Sequence, residues 1–292
     1  MTGRLRTYFD LVRIPNVLTA AADSLAGFLF VGGSLSDYPS AVLLMGASCC
    51  LYAGGVVLND VCDVARDAVD RPRRPIPSGR VSRQNAGTIS AALLAIGVLL
   101  ASTQSLETGL VSLALVVAIL LYNAVLKRTA IAPAMMGLCR ALNLALGMSI
   151  APDLALATVL PPIVLMWLYI ASVTLFARTE ATGGRRIPLG AGAAGVGLAV
   201  AGLVALPSVV PHGRWEGSWL AALLLAVLSY YGCRAIKLAE PVAVQRAVMV
   251  AVLSVVVVDT CIAASTCGLW PAMAVGAILL PVLLLGRLYR VT

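Results

Sequence analysis

The stretch PSAVLLMGASCCLYAGGVVLNDVCDVARDAVD, residues 39–70, decides the fold. Its first part, 39–58, carries no charge at all. That length matches the roughly 20 apolar residues a helix needs to cross a hydrocarbon core of about 30 Å. The part that follows, 59–70, holds Asn59, Asp60, Asp63, Asp67 and Asp70. An apolar helix therefore runs into a cluster of acids at a predicted membrane surface.

The rest of the chain repeats the apolar half of this pattern. Of 292 residues, 60% are hydrophobic and 12% charged, and the mean hydropathy is +0.97. A soluble domain carries about 25% charged residues, so this chain lacks the polar surface to face water. Further apolar blocks fall at 14–32, 84–104, 107–125, 131–150, 156–177, 187–207, 217–236, 244–265 and 269–287, ten with the first. Backbone in lipid must satisfy its own hydrogen bonds, and blocks this long exceed barrel strands. The expectation is an all-α polytopic membrane bundle, one domain over 1–292, with the first block retained as a helix rather than cleaved.

Basic residues set the orientation. With the N-terminus cytoplasmic, 19 of the 21 Lys and Arg fall in inside segments, leaving Arg214 outside and Arg140 within a span. The positive-inside rule then predicts an even number of spans in the plasma (inner) membrane, with N-terminus and acidic loops cytoplasmic. The net charge of +8 follows from topology and attraction to an anionic leaflet, and requires no nucleic-acid partner. Seven cysteines form no CxxC and read as small buried hydrophobes.

The acidic segment is where chemistry enters. If the second span continues as a helix, Asn59, Asp63 and Asp67 share one face at i, i+4, i+8, with Asp60 and Asp70 near it. Four of the 13 acidic residues fall in the eleven positions 60–70. Like charges at this spacing repel, so the cluster calls for a cation. Carboxylates with an amide, and no His or Cys, suit Mg²⁺, which binds through one or two carboxylates plus phosphate oxygens and water. Arg71, Arg73 and Arg74 follow as planar phosphate donors. A solvated acidic helix end balanced by arginines is the plain alternative.

This segment, with the Arg-Pro…Gly loop after it, resembles the first signature of the UbiA superfamily of intramembrane prenyltransferases. Leu11-Val12-Arg13-Ile14-Pro15-Asn16 is similar to that family's opening, Tyr122 to Arg128 to its fourth-helix end, and Met136 to Asn143 to its fifth helix. The resemblance implies a bundle, usually of nine spans, around a central cavity open to lipid, so nine to ten helices are expected. It also implies a Mg²⁺-bound isoprenoid diphosphate (geranyl to geranylgeranyl or longer) at the cytoplasmic end. By that likeness Asn59, Asp63 and Asp67 are metal residues with Asp60 supporting them, Asn16 lies near the head group, and Arg74 and Lys127 face the diphosphate.

Inside the spans, Arg140 and Asn143 lie three residues apart, and charge at that depth normally faces a polar cavity. Asp23 or Asp259 could pair with Arg140. The Tyr122 ring could shield an allylic cation or serve as an interfacial belt residue. The second acidic motif that the resemblance leads one to expect is absent. Residues 172–186 contain only Glu180 as an acid, and Arg178 stands where a metal ligand is expected. Arg178, oriented by Glu180, is therefore expected to replace a second metal as a fixed positive charge; the other reading is that diphosphate ionisation is lost or altered and the protein has diverged.

The predicted function is Mg²⁺-dependent ionisation of an isoprenoid diphosphate and transfer of the prenyl chain to a small acceptor, aromatic or a polar alcohol or cyclitol. A terpene cyclase of the same family is one alternative. A lipid-binding protein or transporter is the other, although no inverted repeat of broken helices is visible.

Overall fold

The computed structural model describes residues 3–151, 153–178 and 186–288, and every regular element among them is helical. After a short helix α1 (Gly3–Val12) come α2 (Ile14–Phe30), α3 (Tyr38–Cys62), α4 (Val64–Asp70), α5 (Arg83–Ser102) and α6 (Leu106–Ala124). They are followed by α7 (Ala132–Met148), α8 (Leu156–Arg178), α9 (Arg186–Ala205) and α10 (Glu216–Leu238). The chain ends with α11 (Pro241–Leu253), α12 (Val255–Cys267), α13 (Leu269–Ala277) and α14 (Leu279–Leu288).

Eight helical stretches among the described residues are long and apolar enough to cross a membrane. The apolar blocks at 14–32 and 131–150 correspond to α2 and α7, of 17 residues each, about 25 Å at 1.5 Å per residue. These two shorter helices pack on one another, and α2 also contacts α3, α12, α13 and α14. Residues Thr19 to Phe30 of α2 are all buried, which makes α2 the central strut of the bundle.

Close approach of α2 and α7 depends on two glycines. A Cβ on Gly147 would collide with the Ser24 carbonyl oxygen, and one on Gly27 with that of Leu144. Small residues at a crossing let backbones touch, the usual basis of helix association where lipid removes the hydrophobic drive.

Three blocks expected as continuous helices are bent. The helix through the acids ends at Cys62 and resumes at Val64, so Asn59, Asp63 and Asp67 do not sit on one unbroken helix. Repulsion between acids one turn apart opposes the regular geometry there. The Asp63 N–H still reaches the Asn59 carbonyl at 3.0 Å and the Asp67 N–H that of Asp63 at 2.8 Å, so the bend keeps the residues near one another. The block at 244–265 divides at Ser254 into α11 and α12, just before the four β-branched residues Val255–Val258, which lose side-chain freedom in a helix. The last block divides at Ile278, where Pro281 cannot accommodate the carbonyl four residues before it.

Candidate active site at the mouth of the bundle

One end of the bundle gathers the start of α2, the end of α3 with α4, the loop after α4, the α6–α7 turn and the end of α8. The joint between α1 and α2 is Arg13, a non-glycine residue in the left-handed region (φ 53°). Such a conformation costs about 1–3 kcal/mol and persists only where its surroundings hold it. Here the holding group is Asp60, which accepts a hydrogen bond from the Arg13 guanidinium.

Acids and cations interleave across this mouth. Arg74, buried to 8% exposure, donates from Nη1 to Asp67 Oδ2 at 2.7 Å and to Asp60 Oδ1 at 3.2 Å. Asp63 Oδ1 meets Lys127 Nζ at 2.8 Å and Arg128 Nη2 at 3.6 Å. The Lys127 contact is not aligned as a hydrogen bond, so Asp63 Oδ1 and Lys127 Nζ are both buried without a hydrogen-bond partner. Asn59 donates from Nδ2 to Asn123 Oδ1 at 2.9 Å, a bond that does not use its amide oxygen. Asn123 is held in turn by donating to the Ile119 carbonyl at 2.9 Å.

Arg178 ends α8 and donates from Nη1 to the Thr129 carbonyl at 2.9 Å, just past the turn that carries Lys127 and Arg128. Arg178 therefore belongs to the same mouth. Glu180, its expected orienting partner, lies outside the described residues.

Below the mouth is a cavity of about 180 Å³ between α3, α6 and α7. Arg13, Asn59 and Tyr122 line its upper part, Asn123, Arg140, Asn143 and Tyr52 add polar groups, and Val56, Leu115, Ile119 and Met136 supply apolar wall. Arg140 places its guanidinium 5.7 Å from the Tyr52 ring centre. Its Nε lies 2.7 Å from Asp23 Oδ2, and its Nη2 donates to the Thr19 carbonyl at 2.8 Å. Asn143 donates to Asp23 Oδ2 at 2.7 Å and to the Ala20 carbonyl at 2.9 Å, and accepts from Ser48 at 2.8 Å. Of the two acids read as possible partners of Arg140, Asp23 makes the direct ion pair. Asn16 is half-buried one turn from Arg13 and is not among the cavity-lining residues.

The donor set can be tested for Mg²⁺. Among the described residues no three His, Cys, Asp or Glu side chains converge as a ready-made cage. Mg²⁺ rarely uses such cages; it takes one or two carboxylates and completes its shell with phosphate oxygens and water. The buried Asp63 Oδ1, without a hydrogen bond, fits that mode, as do the Asp67 carboxylate and the Asn59 amide oxygen. Arg13, Asn123 and Tyr52 are site residues that sequence reasoning did not single out. A buried Asn within an apolar span is the signal that could have found Asn123.

Fold and site together define a helical membrane bundle with a cation-rich, acid-lined mouth above a cavity of mixed polarity. The model of the UbiA prenyltransferase family matches residues 21–251, and the chain belongs to that family. It is 35% identical over 125 residues to digeranylgeranylglyceryl phosphate synthase of Saccharolobus solfataricus, covering 43% of this chain and 44% of that protein. It is 41% identical over 95 residues to the protein of that name from Methanothrix thermoacetophila, covering 32% and 36%. The match thus spans less than half the length of these curated relatives. A solved structure concerning digeranylgeranylglyceryl phosphate synthase superposes with a TM-score of 0.70 at 19% identity, over 90% of this chain and 99% of that one. A UbiA homologue from Archaeoglobus fulgidus, bound to GPP and Mg²⁺, gives 0.66 at 15% identity over 88% and 99%. These likenesses establish the shared fold.

Proposed function

We propose that this protein is an intramembrane prenyltransferase of one membrane domain. It ionises an isoprenoid diphosphate at the mouth and passes the prenyl chain to a small acceptor in the cavity below. The observation that carries this reading is the alternation of Asp60, Asp63 and Asp67 with Arg74, Lys127, Arg128 and Arg178 around one opening. Acids alone would attract a metal and cations alone an anion; a metal–diphosphate pair needs both. The names of the aligned relatives, synthases of a prenylated glyceryl phosphate, and the GPP and Mg²⁺ bound to the Archaeoglobus homologue support the same reaction class.

Asp63, Asp67 and the Asn59 amide oxygen would hold Mg²⁺, with Asp60 fixed behind them by Arg13 and Arg74. When bound, the metal supplies charge stabilisation to the departing diphosphate. Lys127, Arg128 and Arg178 face the remaining phosphate oxygens, and Arg74, engaged by two carboxylates, serves chiefly to hold the acids apart and oriented. Arg178 takes the role that a second metal would have, as a fixed charge beside the turn that carries Lys127 and Arg128. Such preorganised cations act on charge that develops as the allylic carbon–oxygen bond breaks and its electron pair leaves with the diphosphate. The carbon then bonds to the acceptor nucleophile, which gives up its proton. Tyr122, at the junction of mouth and cavity, presents its ring to the allylic carbon.

The acceptor reading follows from charge. The two cations lining the cavity, Arg13 and Arg140, are neutralised by Asp60 and Asp23. The polar groups that remain are amides, hydroxyls and spare guanidinium N–H groups, which suit a polar alcohol better than an aromatic carboxylate. We place the mouth on the cytoplasmic side of the inner membrane, an orientation that the basic residues at that end support.

Mass analysis of lipid products from purified protein, geranylgeranyl diphosphate and a panel of polar alcohols tests the class. A product containing donor and acceptor supports the transferase. A cyclised hydrocarbon formed without acceptor would replace it with a cyclase, and diphosphate recovered intact would point to a binding or transport protein.

A further inference from the structure

Arg140 and Asn143 close one side of the cavity, and both lean on Asp23. Behind Asp23 stands a second acid that prenyl transfer does not use. Asp23 of α2 and Asp259 of α12 each have 0% exposure, and their carboxyls meet within hydrogen-bonding range.

Donors at this point are unevenly shared. Arg140 Nε and Asn143 Nδ2 both approach Asp23 Oδ2, each at 2.7 Å. Asp23 Oδ1 and both oxygens of Asp259 have no hydrogen-bond partner among the described residues. Neighbouring hydroxyls are committed elsewhere: Tyr169 donates to the Ala251 carbonyl at 2.7 Å and Thr260 to that of Val256 at 2.7 Å. Among the described residues, Arg140 is the cation paired with Asp23, at 2.7 Å, and no cation pairs with Asp259.

Two carboxylates against one guanidinium would leave a net negative charge with no route to water, which a low-dielectric interior strongly disfavours. Their facing oxygens would also be acceptors without a donor between them. A single proton removes both difficulties, because a carboxylic acid donates where a carboxylate cannot.

We propose that Asp23 and Asp259 bind one proton between them, Asp259 serving as the neutral donor to Asp23 Oδ1. Asp23 is then held at both oxygens and keeps Arg140 and Asn143 fixed in the cavity wall. Asp259 does not line the cavity; it is a positioning residue acting through Asp23 and Arg140. The assignment is independent of what the cavity binds.

Infrared spectroscopy of the purified protein in detergent at mildly alkaline pH tests this directly. Exposed acids are ionised there, so a carbonyl band of a protonated carboxyl reports a buried one. The wild type is expected to show the band and Asp259→Asn to lose it. Asp259→Asn keeps a neutral donor and should unfold near the wild-type temperature, whereas Asp259→Leu removes the donor and should unfold well below it. The proposal is overturned by a wild type without the band, by a band that survives Asp259→Asn, or by an Asn variant as unstable as the Leu variant.

Discussion

Replacing Arg140 by Met removes the guanidinium that Asp23 meets and leaves much of the apolar stem in place. The Nε–Oδ2 separation is 2.7 Å, which at an effective dielectric of about 20 corresponds to roughly 6 kcal/mol of attraction. Desolvation offsets part of this, and breaking one side of a buried pair costs about 3–5 kcal/mol. Asp23 is 0% exposed, so its stranded charge cannot turn to water, and the upper part of that range applies. Arg140→Met should therefore lower the thermal unfolding midpoint in detergent, followed by intrinsic fluorescence, by on the order of 10 °C. Adding Asp23→Asn removes the stranded charge while keeping an acceptor for Asn143. The double variant should recover at least half of the loss. A single variant within about 1 kcal/mol of wild type, or a double variant whose loss equals the sum of the two singles, would refute the coupling.

Gly147→Ala should destabilise by about 1–3 kcal/mol through overpacking against the Ser24 carbonyl, whereas Gly87→Ala, in a helix with open space around it, should be neutral or stabilising by up to about 1 kcal/mol; thermal unfolding of both variants checks this pair, and equal shifts would contradict the crossing. Arg178→Ala should reduce turnover about 10²-fold or more, as loss of one preorganised donor does, with Arg178→Lys restoring part of it; full activity of the Ala variant in a diphosphate-release assay would remove Arg178 from the site. Asn123→Ala frees the Asn59 amide to rotate, so it should raise the Mg²⁺ concentration needed for half-maximal activity several-fold, and an unchanged Mg²⁺ titration would deny Asn123 that positioning role.

The ten apolar blocks correspond to the helices, because length and absence of charge are all that lipid demands of a span. What periodicity could not reveal is where those helices bend. The bend at Asp63 comes from charge repulsion that hydropathy ignores, and those at Ser254 and Ile278 from valine crowding and a proline that still count as apolar. Around the site, Asp60, Asp63, Asp67, Arg74, Lys127, Arg178, Tyr122, Arg140 and Asn143 do come together, since polar residues at helix ends or mid-membrane are expensive and therefore conspicuous. Arg13 and Asn123 were less legible. Arg13 looks like one of many basic residues at the inner surface until the left-handed joint aims it at Asp60. Asn123 gains meaning only from the Asn59 amide it fixes. Asp259 likewise reads as an isolated acid in sequence, and only the fold sets it against Asp23.

Diphosphate release from geranylgeranyl diphosphate, measured on purified protein in detergent with a polar-alcohol acceptor, with and without Mg²⁺, tests the central claim most directly. Asp63→Ala serves as the paired variant, because Asp63 contributes the buried carboxylate oxygen at the mouth. The account predicts release that requires Mg²⁺ and vanishes in Asp63→Ala. Release unaffected by chelating the metal, or preserved in that variant, would contradict it.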